Sequence, residues 1–123
     1  MRRPLSTLAA LAVLATTASC LSPTLPLPPP DVPDSVSEGS TDLWQISGTC
    51  IPGALVTVFD TVTNRGMVVE DAARIGSYHV SLAGQACDFV WVMQETSDGN
   101  ISGQTGFVLQ ATVNGEPVGT PCP

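Results

Sequence analysis

Between Ile46 and Asp60 the chain reads ISGTCIPGALVTVFD, and this stretch leaves little freedom of fold. Ala54, Val56 and Val58 alternate with Leu55, Thr57 and Phe59. That is the two-residue period of a pleated strand with one face covered. Pro52-Gly53 supplies a tight turn before it. The same grammar runs on. Leu43 to Cys50 is a strand with Trp44, Ile46 and Gly48 on one face, and Met67 to Glu70 is a short one. Gly76 to Leu82 places Tyr78, Val80 and Leu82 together. Cys87 to Glu95, the longest apolar run here, reads as the central strand. Ile101 to Val113 is a last strand or pair, with Gly103 and Gly106 as expected bulge sites. Asn64-Arg65-Gly66, Ser97 to Asn100 and Asn114-Gly115 mark turns, the last suited to a type I′ hairpin. No capped stretch of helical period is present. The expectation is an all-β antiparallel sandwich of about seven strands over 43–113, followed by a C-terminal hairpin or tail over 114–123.

The region upstream obeys different rules. Residues 1–19 place Arg2 and Arg3 before an apolar run from Leu5 to Ala15, then the small residues Thr17, Ala18 and Ser19. The run is too short to span a bilayer and has the layout of an export signal. Cys20 directly after small residues resembles the bacterial lipoprotein signal, although Thr17 stands where Leu is usual. The resemblance implies diacylglycerol on Cys20, which becomes the new N-terminus and anchors the protein to a membrane. Leu21, rather than Asp, then points to the outer membrane of a two-membrane, Gram-negative bacterium. Prolines 23, 26, 28, 29, 30 and 33 block helix and sheet, so 20–42 is expected to be a disordered Pro-rich tether carrying the lipidated Cys20.

Charge narrows the partners. Beyond Cys20 the chain holds Arg65 and Arg74 against all eleven carboxylates, a formal charge of −9. A surface this acidic excludes nucleic acid as a partner. It also disfavours adsorption to anionic lipid by charge alone.

The pieces ISGTCIPGALVTVFD, GSYHVSL and VMQETSDGNIS resemble the bacterial immunoglobulin-like domain, of the Big type. Ser47-Gly48-Thr49, Pro52-Gly53-Ala54, Val56/Val58, Gly76-Ser77-Tyr78 and Gly99-Asn100 carry the likeness, over about Leu43 to Thr112. It implies an Ig-like sandwich, and its motifs are turn and packing residues that name no activity.

Residues with chemistry are few. His79 is the single histidine and is expected on an outward face between Ser77 and Ser81. No paired base and nucleophile, zinc spacing or phosphate loop is present, so neither an enzyme nor a cofactor is expected. Asp71, Asp98 and Asn100 count to one end of the sandwich and are candidates for calcium, though Asp and Asn are also the ordinary turn formers. Trp44 and Trp91 would offer sugar a stacking platform if exposed. Among the cysteines of the domain and tail, Cys50–Cys87 is the first choice of disulfide because both lie inside the domain. Strand counting, however, sets them at opposite ends, and Cys87–Cys122 is the alternative.

The functional expectation is a lipid-anchored cell-envelope protein whose domain is a non-catalytic binding or spacer module. The alternatives are a calcium-dependent or carbohydrate-binding surface module, or an accessory subunit of an envelope assembly. The partners would be the membrane through Cys20 and an envelope protein or glycan. Binding is placed on the loops bearing Asp71, Arg74, Asp98 and Asn100.

Overall fold

The computed structural model describes residues 25–123, so the export signal, Cys20 and Leu21 lie outside the described residues. The sandwich has seven strands: β1 Ser35–Ser40, β2 Leu43–Thr49, β3 Leu55–Asp60, β4 Arg65–Glu70, β5 Ser77–Ala83, β6 Phe89–Glu95 and β7 Thr105–Val108. A small hairpin follows, β8 Thr112–Val113 with β9 Glu116–Pro117. One antiparallel sheet runs β1-β2-β5 and the other β4-β3-β6-β7. The chain crosses between sheets after β2, β4 and β5, which closes an all-β, Ig-like sandwich. No helix among the described residues is long and apolar enough to cross a membrane.

The expected alternation decides which side chains are buried. Trp44, Ile46, Tyr78, Val80 and Leu82 from one sheet meet Val56, Val58, Val90 and Val92 from the other. β6 lies between β3 and β7, the interior place its apolar run required. Pro52-Gly53 turns with Gly53 at φ 82°, and Asn114-Gly115 turns β8 into β9 with both φ positive, as a type I′ turn demands.

Three expectations change. The first concerns the segment read as a disordered tether. Its second half forms β1, in register from Ser35↔Ser47 to Ser40↔Leu43 with one irregularity between Glu38 and Ser40. SVSEGS hides this strand because it is a sheet edge with one face in water, and only Val36 reaches the core. The prolines before it also dock: Pro30 and Pro33 are buried. The Pro28 carbonyl accepts Gln94 Nε2 at 3.0 Å, and the Pro30 carbonyl accepts Thr105 Oγ1.

The second concerns Gly106, which is not a bulge. β6 and β7 pair without interruption from Phe89↔Val108 to Val92↔Thr105. The glycine is needed because the Phe89 ring lies over it: a Cβ there would stand 2.4 Å from Phe89 Cζ. Gly103 falls in the connection between β6 and β7, outside the strands.

The third concerns the disulfide. Cys87 bonds Cys122, with Cα atoms 5.4 Å apart, and Cys50 has no disulfide partner among the described residues. Cys50 follows Thr49 at the end of the sheet where Ser77 pairs, while Cys87 follows Ala83 at the end where Leu43 pairs. A seven-residue strand, about 23 Å long, separates those ends, and a disulfide spans less than about 7 Å between Cα atoms. The bond pins a tail that the sequence leaves loose.

Candidate binding surface

The two outer faces of the sandwich differ in chemistry. On the three-stranded sheet the outward rows read Ser37–Gln45–Ser81, Ser35–Ser47–His79 and Thr49–Ser77, with Leu43 and Ala83 closing one end. His79 sits there, exposed, as expected. Its Nε2 lies 2.8 Å from Gln45 Oε1, and its Nδ1 lies 2.8 Å from Ser47 Oγ. Gln45 Oε1 only accepts, so Nε2 carries the proton and Nδ1 accepts from Ser47. Ser81 Oγ donates to the same Gln45 oxygen at 2.9 Å. This Ser-His contact lies open on a flat sheet and its third member is a neutral amide, which neither orients the ring as a buried carboxylate does nor stabilises an imidazolium. The face is a solvated polar lattice.

The four-stranded sheet presents the opposite. Its outward rows read Glu70–Leu55–Glu95, Val68–Thr57–Met93 and Gly66–Phe59–Trp91–Gly106, and Phe89 opposite Val108 completes them. Val68 is 62% exposed, Phe89 50% and Leu55 40%. Phe59 and Trp91 stack across strands with ring centres 5.1 Å apart. Glycines flank that pair on both sides. At Gly66 a Cβ would stand 3.0 Å from the Phe59 ring, and at Gly106 three atoms of the Phe89 ring lie within 3.5 Å of the Cβ position. The Phe89 ring is therefore laid over the backbone of β7 while half of the residue faces solvent. A solvent-facing side of an antiparallel sheet is ordinarily polar, as the other one is here. This apolar patch, with Glu70 and Glu95 in its end row, makes the face the candidate contact surface. Sequence reasoning passed over this surface because it weighed Trp44 and Trp91 as a pair. Trp44 is 3% exposed and donates Nε1–H to the Gly84 carbonyl at 3.1 Å, whereas Trp91 belongs with Phe59 and Phe89.

The residues assigned to binding loops occupy one end of the sandwich, and their oxygens are engaged locally. Asp71 is buried. Its Oδ2 accepts the amides of Gly76 at 2.7 Å and Gly53 at 3.1 Å, and its Oδ1 accepts that of Ile75 at 3.1 Å. The Gly76 amide, with those of Gly53 and Ile75 and the nearby Arg74, holds this carboxyl below its ordinary range against the opposing effect of burial. Asp71 thus fastens the Pro52-Gly53 turn to the loop before β5. Arg74 is exposed in that loop at φ 55°. Asp98 accepts from Thr96 Oγ1 and from Asn100 Nδ2, the latter at 3.2 Å, within its own turn. Among the described residues no three His, Cys, Asp or Glu side chains gather as a metal site.

Two further polar residues organise the interior. Gln94 is buried at the end of β6, where its side chain accepts the Ile51 amide at 2.8 Å and donates to Pro28. It joins the Pro-rich strap to the turn before β3. At the other end, Asp60 is fully buried against Asp88. Asp60 Oδ1 accepts the amides of Val62 at 2.8 Å and Thr63 at 3.2 Å, while Oδ2 meets no donor among the described residues. Burial first, and then the contact with Asp88, push the Asp60 carboxyl above its ordinary range. Asp88 Oδ2 accepts the Gln85 amide at 2.9 Å, so the pair clasps the β3–β4 loop to the β5–β6 turn. Cys50 is half-buried, and burial followed by the charge of Asp71 raises its thiol, which keeps it in the unreactive protonated form.

No protein-family model, no curated protein and no solved structure matches this chain.

Proposed function

We propose that the protein is a lipid-anchored module of the bacterial cell envelope, held by diacylglycerol on Cys20 at the outer membrane, whose Big-type Ig-like domain binds rather than catalyses. The observation that carries the reading is the contrast between the two outer faces. One is a polar lattice around His79, and the other is an apolar, aromatic surface around Trp91 and Phe89. A small sandwich presenting such a face offers a partner contact area and shape. Docking of Pro28, Pro30 and Pro33 on the domain shortens the free riser, so binding close to the membrane suits the protein better than long reach.

The test is site-specific photo-crosslinking in native envelopes, with the crosslinker at Phe89 in one strain and at His79 in another. The expected result is a discrete adduct from Phe89 only, lost when Cys20→Ala releases the protein from the membrane. Equal labelling from both positions would refute the assignment of the surface. An adduct that persists unchanged in a membrane-bound Cys20→Ala protein would refute the anchor.

A further inference from the structure

The aromatic face carries information about its occupant. Its two charges are both carboxylates, Glu70 and Glu95, set on either side of Leu55 in the end row. No cation shares the outward rows, and the chain beyond Cys20 has only two arginines against eleven carboxylates. The rows toward the other end hold the Phe59–Trp91 stack and the exposed Phe89 ring, whose π faces attract cations. The whole face therefore favours positive charge, at the carboxylate end by Coulomb attraction and at the aromatic end by the ring quadrupoles. Its size argues against a second copy of the chain. Four strands about 4.8 Å apart, with four rows about 6.8 Å apart, cover on the order of 400 Å². A stable protein interface needs about 800 Å² from each partner. A neutral glycan fits less well: the aromatic row is bordered by Gly66 and Gly106, and of the hydroxyls beside it, those of Thr57 and Thr61, the latter already donates to the Phe89 carbonyl at 2.8 Å.

We infer that the outer face of the four-stranded sheet docks a basic, apolar-rich polypeptide segment, whose apolar side chains cover Phe59, Trp91 and Phe89 and whose arginine or lysine reaches Glu70 and Glu95. The inference rests on the binding-surface reading above and names its partner class. Glu95 lies four residues beyond Trp91 on the same strand, about 14 Å away. An extended segment lying along β6 meets both with residues of matching separation.

The experiment uses the full-length protein in detergent and three probes: a labelled short peptide alternating arginine and valine, the same peptide with glutamate for arginine, and an N-acetylglucosamine hexamer. Fluorescence anisotropy should show binding of the arginine peptide alone, weakening as salt rises. Trp91→Ala should weaken it by about tenfold or more, and so should Phe89→Ser, which alters a half-exposed residue and spares the core. Glu70→Gln with Glu95→Gln should lower the affinity severalfold and flatten the salt dependence, while His79→Gln on the opposite face changes nothing. Binding of the glutamate peptide as tightly as the arginine peptide overturns the inference. So does binding of the hexamer alone, with loss on Phe89→Ser, although the surface reading then survives. Dimerisation by sedimentation that Phe89→Ser abolishes overturns it in favour of a second copy. Peptide binding indifferent to both face variants overturns the inference and the surface together.

Discussion

Asp60→Asn is expected to stabilise the protein near neutral pH and to leave it nearly unchanged in acid. Asp60 is fully buried against Asp88, with Oδ2 meeting no donor, and its carboxyl is raised by burial and then by Asp88. In the unfolded chain an aspartate loses its proton near pH 3.9. Between that pH and the raised value in the fold, the folded state holds more protons than the unfolded one. Stability therefore falls as pH rises through this window, and it levels off once Asp60 is ionised in both states. Once ionised, a buried carboxylate oxygen left without a donor costs about 1–3 kcal/mol. Asparagine carries no such cost. It retains the oxygen that accepts Val62 and Thr63 and turns an N–H donor toward Asp88. The gain should be about 1–3 kcal/mol at pH 7, the cost of leaving that buried oxygen unpaired, and should approach zero below about pH 3. Urea unfolding followed by tryptophan fluorescence from about pH 3 to about pH 8 measures both proteins. Asp71 contributes the opposite slope: its depressed carboxyl stabilises above its unfolded pKa, and that stability is lost as pH falls through the folded value. Asp71 is common to both proteins, so the difference between them isolates Asp60. A difference that stays flat across this range, or a loss of stability at pH 7, would refute the reasoning.

The Cys87–Cys122 bond closes a loop with a sequence separation of 35, worth about 4 kcal/mol on the chain-entropy account. Replacing both with serine should lower the urea midpoint without changing the strand content seen by circular dichroism, and an unchanged midpoint would show that the tail adds nothing. Tyr78 is buried, its hydroxyl meets no partner among the described residues, and burial holds its proton on far above neutral pH. Tyr78→Phe should therefore raise stability by about 1 kcal/mol, whereas Gly48→Ala, whose Cβ would stand 2.6 Å from that oxygen, should lower it by about 1–3 kcal/mol; thermal melts of the two variants should move in opposite directions.

Local pattern carried much of the fold. Period-two alternation in 43–50 and 76–82 names the inward residues, because a pleated strand allows only two faces and one of them must leave water, while the unbroken apolar run of 87–95 marks an interior strand without naming its inward side. Pro52-Gly53 and Asn114-Gly115 announce their turns because few residues adopt the backbone angles those turns need. The outward position of His79 follows from the same parity. What stayed hidden is what neighbouring strands supply. β1 has a single apolar residue, and it becomes a strand through pairing with β2. The disulfide depended on which ends of the sandwich the cysteines reach, and the path of the tail settles that in favour of Cys122. The role of Gly106 depended on a ring from the adjacent strand. The aromatic face is the largest of these. Phe59, Trp91, Phe89 and Val68 come from three strands, each reading as an ordinary outward position. Strand order and register bring them together, and neither is written in any one stretch of chain. Alternation along a strand is a local steric property, so the sequence determines it alone. Adjacency between strands is a property of how the sheets assemble, so it belongs to the tertiary structure.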